Sequence, residues 1–173
     1  HTGAHIAMEL ALRHPERVAG LVLDGVSFNS PEEAQERLNN YAPEFYPKSD
    51  GTHLAWAWQH TRDQVLYYPW FRAEKARRLN VDMASPDYIH DIVLAKMDAA
   101  NYWLGYRAAF SHDSRAVVYE LNVKATIVAR DGDVLAPEAK RLEDLPTCVR
   151  VLETDRDEWL NAVRDGLAWC DTG

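Results

Sequence analysis

Three features of the sequence predict an α/β protein, a parallel sheet with a block of helices inserted into it. Residues 5–28 read as a buried helix, a tight turn and a buried strand in immediate succession. Residues 123–153 hold two more short apolar runs, separated by a turn and a helical stretch. Between them, residues 30–121 show no strand-like pattern and read as several helices. Helices that alternate with continuously apolar strands indicate a sheet covered on both faces.

The elements follow in order. His5 to Arg13 (HIAMELALR) is rich in Ala, Leu, Met and Glu, all strong helix formers. His14-Pro15 ends the helix, because the residue before a proline disfavours the helical region. Val18 to Phe28 (VAGLVLDGVSF) is a short apolar run with β-branched residues, a buried strand. Ser30-Pro31-Glu32-Glu33 is a helix start, with serine as cap, proline at the first position and acids behind it. The stretch that follows holds Trp56, Trp58, Trp70 and Trp103, is punctuated by Pro43, Pro47, Pro69 and Pro86, and has a loop at Lys48 to Thr52. Val123 to Arg130 is the next strand, followed by the acidic turn Asp131-Gly132-Asp133. Pro137 to Glu143 is a short helix and Cys148 to Glu153 a further strand. Glu158 to Cys170 closes the pattern as an amphipathic helix, with Trp159, Leu160, Val163, Leu167 and Trp169 along one face. The expected organisation is a core of residues 1–29 and 122–173 with a helical insertion at 30–121.

Composition narrows the function classes. A hydrophobic share of 47% and a charged share of 27% across 173 residues are those of a globular protein, not a disordered or fibrous one. The 19 basic and 27 acidic side chains leave a net charge of −8. That charge argues against nucleic acid or an anionic membrane as partner. No apolar run reaches the roughly 18 residues of a membrane-spanning helix. Cys148 and Cys170 form no disulfide framework, so the reading is a cytoplasmic protein whose partner is a small-molecule substrate or ligand.

The motif order resembles the later half of an α/β-hydrolase. In that superfamily the nucleophile sits on a sharp strand-to-helix turn, G-x-S-x-G. A buried helix, a His-Pro-Glu-Arg stop and a Leu-Val-Leu strand follow. His1-Thr2-Gly3-Ala4 is similar to the start of such a turn, and Leu10 to Val18 (LALRHPERV) continues it with the family's spacing. Val123 to Val128 resembles the strand that leads to the catalytic acid, and Asp133-Val134-Leu135-Ala136-Pro137 resembles the acid and its successors. The resemblance covers the whole chain, the middle matching a helical cap in position more than in sequence. It implies a partial hydrolase core without its upstream strands, so the chain is expected to be the latter part of a larger domain.

In this register His1 holds the nucleophile position in place of serine, and Asp133 holds that of the acid. The resemblance also implies the Thr2 amide as an oxyanion donor. The family's histidine follows the last strand, where this sequence has Thr154-Asp155-Arg156-Asp157. His1 therefore reads as a substituted nucleophile, as a base paired with Asp133 or Asp157, or as the remnant of a degenerate site. Asp131 competes with Asp133, the alternative being that both simply build the acidic turn; Asp24 ends the first strand, where parallel sheets hold ligands, and Asp24-Gly25 reads equally as a plain turn. Asp157 is either a pocket acid or the N-cap of the last helix. Arg156 beside it suits a carboxylate-bearing ligand. Trp70 and Trp103, with Tyr67, Tyr68, Phe71 and Tyr102, either line an apolar substrate pocket or form the insertion's own core. His1 and His5 lie four apart, as metal ligands on a helix do, but lack the accompanying Glu-x-x-His context, so neither a metal nor a cofactor is implied. The expected function is hydrolysis of an ester- or amide-type bond in a small, largely apolar molecule by a non-standard site. The alternative is a catalytically degenerate member that binds a small ligand, and a third reading makes the cap aromatics a protein-docking surface.

Overall fold

The computed structural model describes residues 1–171. Among them are eight α-helices and three strands. The strands β1 (Leu21–Asp24), β2 (Ala125–Arg130) and β3 (Val149–Thr154) form a parallel sheet in the order β1-β2-β3. Leu21 lies opposite Ala125, and Ala125 opposite Val149. Flanked on both sides, β2 is buried from Ala125 to Ala129, which is why its sequence is apolar without alternation.

The chain divides into two compact units. One comprises His1–Ala34 and the chain from Ala109 onward, the other Gln35–Ala108. In the sheet unit, α1 (Thr2–Arg13) buries Met8 and Ala11 in one cluster with Leu21, Leu23, Ile127 and the Val117 and Val118 side chains of α6 (Ser114–Glu120). The short α7 (Ala136–Ala139) adds Ala136 and Ala139 to that cluster. Full burial of side chains such as Met8, Leu23 and Ile127 contributes roughly 1.5–3 kcal/mol each. The opposite sheet face, with Val22 and Thr126, receives α8 (Trp159–Asp171) at Gly166.

Two expectations change here. The last helix does not bury the stripe read from its large residues, since Leu160 and Leu167 are more than half exposed while Ala162 and Gly166 are buried. The cause is distance: a Cβ on Gly166 would stand 2.9 Å from Val22 Cγ2, so only a residue without one fits between helix and sheet. The first strand is also shorter than the run at 18–28, because Gly25 turns the backbone into the left-handed region at φ 69°.

The helical unit contains α3 (Thr52–Leu66) and α4 (Pro86–Asp98), with α2 (Pro31–Asn40) and α5 (Trp103–Ser111) crossing its ends in sequence. This unit is narrower than the 30–121 insertion, because α6 spends its buried face on α1 and the sheet. Ser30 and Glu33 cap α2 reciprocally, each side chain accepting the other's backbone N–H. Ser85 Oγ accepts the Tyr88 N–H at the start of α4. Ala57, Ile89 and Val93 form the core between α3 and α4, with Phe45, Trp56 and Met97 packed around it.

Candidate active site

The carboxyl ends of β1 and β2 bring together four polar residues. Asp24 ends β1 and Arg130 ends β2, while the turn after β2 folds Asp133 back so that its N–H donates to the Arg130 carbonyl at 3.0 Å. His1 stands at the N-cap of α1, its backbone nitrogen 2.7 Å from the Asp24 carbonyl oxygen to which it donates. Crevices at the carboxyl ends of parallel strands are where α/β sheets bind ligands, because loops and helix N-termini converge there.

Asp133 is the anchor of this cluster. Its side chain is only 4% exposed, and its Oδ1 accepts the Leu135 N–H at 2.8 Å, which fixes the carboxylate plane. Oδ2 lies 3.8 Å from His1 Nε2 and 3.8 Å from Arg130 Nη2. The imidazole of His1 is 69% exposed, so it presents one edge to a buried carboxylate and the rest to solvent. Gly25 makes the approach feasible, since a Cβ there would meet His1 Cδ2 at 2.8 Å and Asp133 Oδ2 at 3.3 Å. Asp131 points elsewhere, to Lys140 at 3.2 Å, with its side chain 62% exposed. The nearer acid to His1 is thus Asp133.

Trp159, read in sequence only as part of a helix face, reaches this cluster. Its Nε1 donates to Asp24 Oδ2 at 3.0 Å, and the Arg130 guanidinium lies over its ring at 5.6 Å. Among the described residues Asp24 Oδ1 and Arg130 Nε are buried without a hydrogen-bond partner, leaving one acceptor and one donor of the cluster open. Thr2 holds the first position of α1, where the backbone N–H is among those a helix cannot satisfy itself. Asp157 is exposed, two residues before the start of α8. No described contact joins it to His1, and it does not stand at the N-cap position directly ahead of the helix. Trp70 and Trp103 belong to the helical unit. Trp70 donates from Nε1 to the Tyr41 carbonyl at 2.8 Å and packs edge-on against His60, while Trp103, 5% exposed, packs against Tyr46 and Tyr102.

A second polar cluster in the sheet unit gave no signal in sequence, because its members are far apart along the chain. His5 is 5% exposed and turned inward, away from the solvent-facing His1, so the two do not converge as metal ligands would. His5 Nε2 bonds Ser27 Oγ at 3.1 Å and its Nδ1 bonds Ser114 Oγ at 2.8 Å. Ser114 Oγ also meets His112 Nδ1 at 2.9 Å, and His112 Nε2 stands 3.2 Å from Glu9 Oε1. Burial, and next the neighbouring His112, push His5 down to about 4 from its ordinary value of 6.5. It is a neutral, structural histidine.

Within its reach, the His1–Asp133 pair can do acid–base work. A carboxylate behind an imidazole orients the ring and stabilises the cation it becomes on taking a proton. The 3.8 Å separation exceeds a direct hydrogen bond, a spacing that a small shift of the exposed ring would close.

No protein-family model matches the chain, and no curated protein sequence matches it. Among solved structures the chain is similar to that of Rv0554 from Mycobacterium tuberculosis, at 15% identity with a TM-score of 0.53. The match covers 98% of this chain and 61% of the other, so the chain spans about three-fifths of its neighbour's length. At that identity the likeness is one of fold, and it places the chain among mixed α/β proteins built on a parallel sheet.

Proposed function

We propose that the chain is part of an α/β-hydrolase-type enzyme that cleaves an ester or amide bond in a small, largely apolar molecule. The observation that carries this reading is the exposed imidazole of His1 set against the buried carboxylate of Asp133 at the carboxyl edge of the sheet. In the reaction, His1 keeps its Nε2–H toward Asp133 and its other ring nitrogen, Nδ1, takes a proton from water as the oxygen attacks the carbonyl carbon. Asp133 stabilises the resulting imidazolium, which then returns the proton to the leaving alkoxide or amine. The Thr2 N–H donates to the developing oxyanion in this reading. The order of motifs around His1 and Asp133 supports the same assignment, as does the α/β fold itself, although fold alone does not specify chemistry.

One observation favours a second reading, a ligand-binding member without turnover. Arg130 stands as close to Asp133 Oδ2 as His1 does, and a carboxylate shared with a guanidinium supports an imidazolium less. A panel of short-chain p-nitrophenyl esters separates the two. Turnover that is abolished in His1→Ala supports the enzyme. Saturable binding of the same esters, with release of p-nitrophenol no faster than in buffer, establishes the binding protein instead.

A further inference from the structure

The helical unit contains a half-buried cation, Lys96, that pairs with no carboxylate among the described residues. Lys96, on α4, directs its ammonium toward α3, donating to Thr61 Oγ1 at 2.9 Å and Gln64 Oε1 at 2.5 Å, and approaching His60 Nδ1 at 3.3 Å. All three partners are uncharged. The acid nearest in sequence on α3, Asp63, is engaged by Arg62 and Gln59 instead, and Asp98 on α4 is exposed. Tyr102 faces the same ammonium with its ring at 6.0 Å. Burial lowers Lys96 to about 8 from 10.5, as expected where its described partners are all uncharged. Buried charges in folded proteins are ordinarily paired, because an isolated one forfeits its hydration.

Lys96 also lines a cleft of about 270 Å³, half open to solvent, with Phe45, Tyr46, Met97 and Trp103 on its sides and His53 at its border. The volume is at the lower end of small-molecule sites, room for one substituted aromatic ring. The unit carries as many basic as acidic side chains, so the negative charge of the chain as a whole does not reside here. An aromatic cleft and a cation held only by uncharged partners among the described residues have one common complement. We propose that this cavity binds a small aryl or alkyl monocarboxylate, its apolar body against Phe45 and Trp103 and its carboxylate on the Lys96 ammonium. The contact to His60 Nδ1, longest of the three, is the one the carboxylate replaces. The site lies wholly within the helical unit and is independent of the chemistry at His1.

The test is calorimetric titration with 3-phenylpropionate and, separately, its neutral amide. Near pH 7 the acid is expected to bind at least about tenfold tighter than the amide, the difference a buried charge contact makes. In Lys96→Met the preference disappears while the amide binds as before. In the unaltered protein the preference declines as pH rises above about 8, where the free amine loses its proton, rather than persisting to the ordinary lysine range near 10.5. His60, neutral well below this window, and Tyr102, pushed up to about 12, do not titrate within it. The pH series needs no variant, so it decides the matter even if Lys96→Met fails to fold. Equal affinity for acid and amide, a preference that survives Lys96→Met or high pH, or no binding of either molecule overturns the proposal.

Discussion

Lowering the pH from 7.5 to 5 is expected to remove about 2 kcal/mol of stability through His5 alone. In the folded chain His5 is held neutral, its pKa lowered to about 4, whereas the unfolded chain takes up a proton near 6.5. Between those values the unfolded state binds more protons, so stability rises with pH and falls as acid is added. At pH 5 an unfolded-state histidine is almost fully protonated and the buried one is not, and linkage across that difference gives about 2 kcal/mol. Below pH about 4 the loss levels off, because His5 is then charged in both states. Urea denaturation followed by circular dichroism at the two pH values measures this, with the slope in denaturant as a check that the same surface unfolds. His5→Gln keeps a side chain able to hydrogen-bond Ser27 or Ser114 but cannot take up the proton. It should therefore lose about 2 kcal/mol less than the unaltered chain over the same pH step. An equal loss in both proteins would refute the assignment of His5 as a buried neutral group.

Three substitutions of glycine test the packing and the site. Gly25→Ala forces a left-handed backbone, costing about 1–2 kcal/mol, and sets a methyl 2.8 Å from His1 Cδ2. Ester turnover should consequently fall by more than thermal stability does. Gly166→Ala drives a Cβ to 2.9 Å from Val22 and 3.3 Å from Thr126, an overpacking that should destabilise by about 1–3 kcal/mol in a thermal melt. Gly105→Ala should do the reverse, raising stability by about 0.5–1 kcal/mol, because the position is exposed within α5 and a Cβ there meets nothing within 4 Å.

The fold was legible where the physics is local. The helix before Pro15, the apolar run of β2 and the reciprocal cap at Ser30 are each set by residues within a few positions of one another. The span of the helical unit was less so, since α6 reads as one more helix until Val117 and Val118 are seen buried beside Met8. The face of α8 was misread for a related reason. Periodicity ranks large apolar residues as buried, but a helix that lies tightly on a sheet buries its small ones, here Ala162 and Gly166. At the site, sequence placed His1 and Asp133 through motif order. It could not supply Trp159 with Asp24, nor the Lys96 ammonium with Thr61 and Gln64, because those partners meet only in the folded chain. Asp157 drew attention by its position after the last strand, yet an exposed turn leaves its side chain to solvent.

The most direct test of the site is a double-mutant cycle on ester hydrolysis with His1→Ala, Asp133→Asn and both together. If the imidazole takes the proton and the carboxylate supports it, the two act as one unit, and the double variant is no slower than His1→Ala alone. Losses that simply multiply, or an Asp133→Asn variant as fast as the unaltered protein, would contradict the pairing of His1 with Asp133.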